Sequence, residues 1–256
     1  MLSVFRAAIS GMLAHKFRID VIGNNLANVN TTGFKQSRAE FRDLPYEAMP
    51  NSQPPPGIEL RLGSGSQVLA TQRMFLQGSI DPTTNPTDFA IYGDGFFPVQ
   101  TLDGSTAYTR DGAFRVDAQG ILVTPNGQRL IPPITLPAGF KEVQIREDGQ
   151  VAVVMPDTTT PTVVGQLQLV RFTNANGLIA TGDGLLRPTD ASGPAITGAP
   201  GDIGFGRVVA GAIEGSTVEL ADEMTQLILA QRAYQLNSRA FTTLDQMVGK
   251  LTEFRR

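Results

Sequence analysis

The chain has 256 residues, a net charge of −3 and 21 basic residues that form no run. That length can bury a real core and hold one to three domains, and the scattered basic charge lacks the stripe of a nucleic-acid binder, so no nucleic-acid partner is expected. With no cysteine and one histidine, disulfides, thiolate sites and most metal clusters are excluded, and no cofactor or metal is expected. The lack of cysteine also fits a protein that crosses into an oxidising space.

The first twenty residues do not read as a secretory signal. Arg6, Ser10 and Gly11 break the longest apolar stretch, and no small-residue cleavage site follows it. No stretch approaches the roughly 18 apolar residues that span a bilayer, so no membrane insertion is expected. Export, if it occurs, would use a route without a cleaved signal of this kind.

Residues 1–30 read as an amphipathic helix. Phe5, Met12, Ile19 and Leu26 recur every seventh residue, and Ala8, Ile22 and Val29 take the position three further on. These make one apolar seam of coiled-coil type, widened by Leu2, Ile9 and Leu13 and interrupted by His15 and Lys16. The seam suits either the core of a small bundle or a contact between chains. The helix runs into Asn24, Asn25, Asn28 and Asn30, four amides in seven residues, then Thr31, Thr32 and Gly33. One reading is a frayed helix end closed by a left-handed glycine; the other is amide side chains pairing across a helix interface.

Residues 36–70 carry Pro45, Pro50, the run Pro54–Pro56 and Gly63-Ser64-Gly65-Ser66. They predict an extended linker or protruding loop, with Ile58, Leu60, Leu62, Val68 and Leu69 giving it some β character. From 71 to 214 the chain is dense in Asp-Gly and Asn-Gly pairs, at Gly95, Gly104, Gly112, Gly127, Gly149, Gly177 and Gly184. Such pairs supply the positive φ of hairpin turns. Strand-like runs lie between them at 96–101, 107–110, 114–117, 121–124, 143–146, 151–155 and 163–172, which together argue an antiparallel β domain. The Gly- and Pro-rich stretch 189–206 reads as loop.

The last segment reads as a second helix from about residue 217. Ser216 three residues before Glu219 forms a capping box, and Leu220, Met224, Leu227, Tyr234, Phe241 and Val248 follow at helical steps. Leu244, Met247, Leu251 and Phe254 widen the stripe. Acidic residues at the start and basic ones near the end complement the helix dipole. At about 1.5 Å per residue the helix would be roughly 55 Å long, more than one 30-residue partner covers.

No catalytic constellation emerges. A serine triad would need His15, which sits in the seam. The Gly-rich stretches around Asp94 and Asp183 lack the Lys and Ser/Thr of a phosphate loop, and no Asp-Gly pair opens a twelve-residue calcium loop. Glu147-Asp148 and Asp222-Glu223 read as exposed turn and helix-start residues, though two carboxylates could still meet in a glycosidase-like pair.

The stretch from Ile19 to Lys35, with its Gly-Asn-Asn-Leu-Ala-Asn-Val-Asn-Thr-Thr-Gly-Phe-Lys run, resembles the N-terminal signature of the bacterial flagellar rod and hook proteins. Glu223-Met224, the run from Gln231 to Ala240 and Asp245-Gln246-Met247 resemble the matching C-terminal signature. Gly93–Phe97, Ala107–Phe114 and Gly165–Leu169 look like that family's β domain. The blocks stand in family order and cover nearly the whole chain. Length and the middle blocks look most like the distal rod proteins. The segment after Leu44 is several residues shorter than that branch leads one to expect, which leaves a second rod-type paralogue open.

The resemblance implies a structural subunit, not an enzyme, that self-assembles into a rigid helical tube and transmits torque from motor to hook. The two terminal helices would pair as a coiled coil in an inner layer, at 1–35 and 215–256. The linker would span 36–70, and an antiparallel β domain at 71–214 would lie outside. The fold class is thus mainly β with α-helical termini. Assembly contacts are expected at Phe5, Met12, Ile19, Ile22, Asn24, Asn25, Leu26, Asn28 and Val29. On the second helix they are expected at Met224, Leu227, Gln231, Tyr234, Asn237, Phe241, Leu244, Val248 and Leu251. Implied partners are further copies, adjacent rod proteins, the hook protein, the flagellar type III export apparatus and possible bushing rings. The implied location is the flagellar basal body, in the periplasm and cell-wall space. The alternatives are a proximal rod or small hook-like axial protein, or a secreted β-domain glycan-binding protein or hydrolase.

Overall fold

The computed structural model describes residues 2–48, 61–140, 142–146, 148–156 and 160–253. Helix α1 (Leu2–Ala27) opens the chain and α2 (Leu220–Glu253) closes it, with short antiparallel strands between. The fold is mainly β with helical termini. The chain forms two compact units. One holds Met1–Ala27, Ser37–Arg73 and Glu219–Arg256; the other holds Asn28–Gln36 and Met74–Val218.

In the β unit the largest sheet has seven strands. Their order is Ile179–Gly182, Leu185–Arg187, Thr106–Thr109, Phe97–Gln100, Arg129–Leu130, Leu122–Val123 and Arg115–Val116. Side chains alternate across a strand, so sequence neighbours point to opposite faces. Here both faces are covered. Phe97, Ala107, Leu169 and Leu185 enter one core with Phe89, Phe114 and Val151, while their neighbours Phe96, Tyr108, Val170 and Leu186 enter a second with Phe172. Edge-to-face ring pairs hold each core, Phe97 on Phe114 at 5.3 Å and Tyr108 on Phe172 at 4.9 Å. A strand apolar at consecutive positions is the signature of burial on both sides.

The strand-like runs of the sequence coincide with strands, except that 163–172 is split into Thr162–Gln166 and Leu169–Arg171, which join different sheets. The stretch 189–206 is not all loop, however. Ile196–Gly198 pairs with Leu169–Arg171, because a neighbouring strand can recruit three residues whose own composition favours a turn. Most Asp-Gly and Asn-Gly glycines do take positive φ, but Gly112 and Gly177 do not. Gly112 is there for closeness, since a Cβ on it would overlap the Phe89 carbonyl oxygen.

In the helical unit α1 and α2 run antiparallel. The Phe5 and Phe241 rings meet edge to face at 5.4 Å, and Arg18 reaches Gln226. Asn25 bonds Glu223 at 3.0 Å. The stretch expected as a linker supplies a two-stranded arm, Ser37–Asp43 against Ser66–Arg73 with a bulge at Glu40/Phe41. Tyr46–Ala48 and Arg61–Gly63 continue it. The arm lies on α1, where Ser66 N donates to Ser10 Oγ at 3.2 Å. Pro50, Pro54–Pro56, Ile58 and Leu60 lie outside the described residues.

The capping box expected at Ser216–Glu219 is not formed. Within the β unit, Thr217 N donates to Phe34 O and Gln36 N donates to Thr217 Oγ1. Residues 216–218 are therefore drawn out beside 34–36. Ser216 Oγ accepts only from Val218 N, and helical structure begins at Leu220.

Candidate functional site

The seam of α2 facing α1 follows a strict four-three alternation. Glu223, Leu227, Ala230, Asn237, Phe241, Leu244 and Val248 are buried or half-buried, and Tyr234 completes the series at its more exposed edge. On α1, Phe5, Met12, Ile19 and Leu26 are half-buried and Ile22 is buried. The expected seam residues are thus brought together within one chain. Met224 and Gln231 point outward and are exposed, and so is Asn24 on α1. Asn28 and Val29 belong to the β unit. The side chain of Leu251 lies outside the described residues.

One amide of the Asn cluster works across elements. Asn25 is 1% exposed. Its Nδ2 donates to Ser37 O at 2.8 Å and to Glu223 Oε1 at 3.0 Å, while its Oδ1 accepts from Ser37 N at 3.0 Å. It therefore ties α1 to α2 and to the arm with every polar atom satisfied, which is what a buried amide requires. Asn28 instead takes a turn role, accepting from Thr31 Oγ1. Glu223 is buried, against the expectation of an exposed helix-start acid, because the helix entry turns it inward onto Asn25.

The imidazole of His15 is held below its ordinary pKa by burial first and by the Arg18 guanidinium second. A depressed basic group lets the unfolded chain take up the proton first as pH falls. Acidification through the region just below the ordinary histidine value should therefore weaken the folded helix pair. Denaturant midpoints compared between about pH 7 and pH 5 are expected to fall in the parent protein and to fall less in His15→Gln. Equal slopes in the two proteins would contradict this.

The helices also leave apolar side chains uncovered. Ile9 and Leu13 on α1 are exposed, Leu13 at 62%. So are Leu220, Met224, Ile228, Leu229, Leu236 and Met247 on α2. Exposed apolar side chains in this number on two helices mark an interaction surface.

A buried charge cluster stands inside the β unit where the segment after α1 crosses the segment before α2. The Glu214 side chain is fully buried, Lys35 is 2% exposed and Arg110 is 6% exposed. Glu214 Oε1 accepts from Lys35 Nζ at 2.6 Å, Gln77 Nε2 at 2.8 Å and Gly78 N at 2.9 Å. Arg110 Nε lies 3.4 Å from Glu214 Oε2, and its Nη2 donates to Gly93 O at 2.9 Å. Lys35 also donates to Leu76 O. Burial pushes the Lys35 ammonium below its ordinary pKa, against the pull of Glu214. Backbone bonds run alongside, with Gly33 N on Glu214 O at 2.8 Å and Met74 N on Gln36 O at 2.8 Å. Sequence reading quoted Lys35 and Arg110 only as parts of motifs and passed over Glu214. A lone glutamate in an apolar strand, Ala212-Ile213-Glu214, was the available signal. Ala230 and Glu223 were likewise missed as seam residues, since neither is a large apolar side chain; the seven-residue steps from Glu223 through Ala230 and Asn237 to Leu244 could have found them.

Nothing in this arrangement suits bond-making chemistry. The charged side chains of the cluster are paired with one another and closed to solvent, although Arg110 Nη1 and Glu214 Oε2 are left without a hydrogen-bond partner. Among the described residues, no group of three His, Asp or Glu could hold a metal ion, and no helix is long and apolar enough to cross a membrane.

Three family models match. The flagella basal body rod protein model covers residues 5–35, the flagellar hook protein FlgE/F/G D1 domain covers 90–153, and the flagellar basal body rod FlgEFG protein C-terminal model covers 209–253. The chain is 42% identical to the flagellar basal-body rod protein FlgG of Borreliella burgdorferi over the whole of both chains. It is 40% identical to that of Caulobacter vibrioides, over 99% of this chain and all of the other. It is 44% identical to the flagellar hook protein FlgE of Helicobacter mustelae, but over only 50% of this chain and 30% of the hook protein.

Proposed function

Since the chain belongs to the flagellar basal-body rod protein family, as a structural subunit of the distal rod, we propose that it builds that rod through the outer faces of its paired terminal helices. It is a structural protein of the flagellar basal body and not an enzyme. Each copy closes its own α1–α2 seam through Phe5, Met12, Ile19, Ile22 and Leu26 on one side and Leu227, Asn237, Phe241, Leu244 and Val248 on the other. Asn24, Asn25, Asn28 and Val29 shape the end of α1. Met224 and Gln231 on α2, with Tyr234 at the more exposed edge of the seam, turn to neighbouring copies. The observation that carries this reading is the row of exposed apolar side chains on α2, from Leu220 to Met247. At about 25 cal/mol per Å² of apolar area, covering several of them gives a few kcal/mol per copy before the entropy of association.

Head-to-tail repetition of such contacts, without closure, gives an open helical polymer. The tube stands between adjacent rod proteins and the hook protein, with any bushing rings around it, and transmits torque from motor to hook. The flagellar type III apparatus exports it.

Leu26→Asp places a charge in the seam, and Ile228→Asp places one on the outer face. Both are expected to stop rod assembly, so that basal bodies show a rod stub and no hook, while the purified proteins keep the β unit's circular dichroism signal. Complete rods in the Leu26→Asp strain would remove the seam assignment. Complete rods in the Ile228→Asp strain would remove the outer face.

A further inference from the structure

The two most exposed large apolar side chains among the described residues are Ile203, at 102%, and Leu102, at 86%. Both are in the β unit, at opposite ends of one strand, Phe97–Gln100. Ile203 stands at the tip of a tight loop. That loop is closed by Gly201 N on Gly206 O and Phe205 N on Asp202 O, and anchored by Gly206 N on Asp94 O at 2.7 Å, just before the strand begins. Leu102 stands just past the strand's other end. There it rims an open groove of about 420 Å³ whose walls include Gln100, Asp117, Val123 and Arg129.

We propose that copies of this chain join head to tail through the β unit, with Ile203 of one copy seated in the groove beside Leu102 and Val123 of the next. The proposal rests on the reading that the chain polymerises, and it adds a contact that the helices do not make. Three observations select a second copy as the occupant. Knob and groove are different patches at opposite ends of a strand, so a contact between them is heterologous, the kind that an open helical polymer repeats from copy to copy. Ile203 is left fully exposed at the loop tip, whereas Phe205, the loop's other large apolar side chain, packs against the core of the β unit beside the Arg171 guanidinium. The loop brings the carboxylate of Asp202, whose Oδ2 also accepts from Ala199 N at 3.0 Å, and the groove offers the half-exposed guanidinium of Arg129, whose ion pair with Asp117 is stretched to 4.0 Å. The apolar side chain supplies the buried anchor, and the charge pair at the rim sets register.

The chain has no cysteine, so cross-linking is free of background. The probe is the double variant Ile203→Cys, Leu102→Cys, expressed as full-length protein, assembled into basal bodies and oxidised. A disulfide forms only where Cβ atoms come within about 4.5 Å. The expected result is a ladder of multimers on a non-reducing gel from the double variant and none from either single variant. Assembled rods without a ladder overturn the proposal while leaving the helical assembly reading intact. Cross-linking of a single variant overturns it too, since that contact would be isologous. If the double variant fails to assemble, Ile203→Asp and Ile203→Val decide: loss of rods in the first with normal rods in the second supports the contact. Normal rods with Ile203→Asp overturn it.

Discussion

Glu214→Ala should destabilise the β unit by about 3–5 kcal/mol, the range for breaking a buried ion pair by removing one partner. The carboxylate is the acceptor on which Lys35, Gln77 and Gly78 converge, and the counter-charge of Arg110. Without it two cations remain in a closed site, and Lys35 keeps only the carbonyl oxygen of Leu76. Water cannot easily repair this, because Lys35 and Arg110 are 2% and 6% exposed. The chain has no tryptophan, so unfolding in urea is best followed by circular dichroism. Glu214→Gln keeps the shape and an acceptor oxygen but loses the charge, and its cost should be large as well. Combining Glu214→Gln with Lys35→Met should recover part of it, because one of the stranded cations is then gone. A loss below about 1 kcal/mol for Glu214→Ala would place Lys35 in water in the folded protein, contrary to the geometry.

The cluster also explains why some of the molecule was legible in the sequence and some was not. Seven-residue spacing located α1, and apolar residues at three- and four-residue steps located most of α2, because a helix that buries one face must repeat its apolar residues at that period. The seam residues that escaped are Ala230 and Glu223, whose burial comes from position and not from hydrophobicity. Paired glycines located the hairpins, since positive φ is a local demand that a local residue must meet. The strand Ile196–Gly198 escaped because its pairing comes from a partner more than twenty residues earlier. The Lys35–Glu214 pair spans 179 residues, and no local pattern announces such a contact. The same cause misplaced the start of α2. A Ser-x-x-Glu pattern is a local argument, and the competing bonds from Phe34 and Gln36 to Thr217 are not local.

Gly33→Ala is expected to cost about 3 kcal/mol or more, through two effects that add at one residue. Its φ of +66° lies in the left-handed region, where an L side chain costs about 1–2 kcal/mol. A Cβ there would also stand 2.7 Å from the carbonyl carbon of Arg110 and the nitrogen of Asp111. Those are backbone atoms, so relief requires moving the chain and not a rotamer. The neighbouring bonds resist that movement: Gly33 N holds Glu214 O, and Thr32 Oγ1 donates to Asp111 Oδ1 at 2.8 Å. Displacing residue 33 therefore loosens the seat of Lys35 two residues on, and the effect should be less than additive with Glu214→Ala. Gly104→Ala is the control that separates strain from overlap. Gly104 has a φ of +82° with nothing within 4 Å of its Cβ position, so it should lose only the conformational term. In swimming assays Gly104→Ala should leave motility near normal and Gly33→Ala should abolish it, with basal bodies that lack a complete rod. If the two substitutions lower the urea midpoint equally, then the 31–36 segment is not seated against Arg110 and Asp111, and the charge cluster does not hold the two ends of the β unit together.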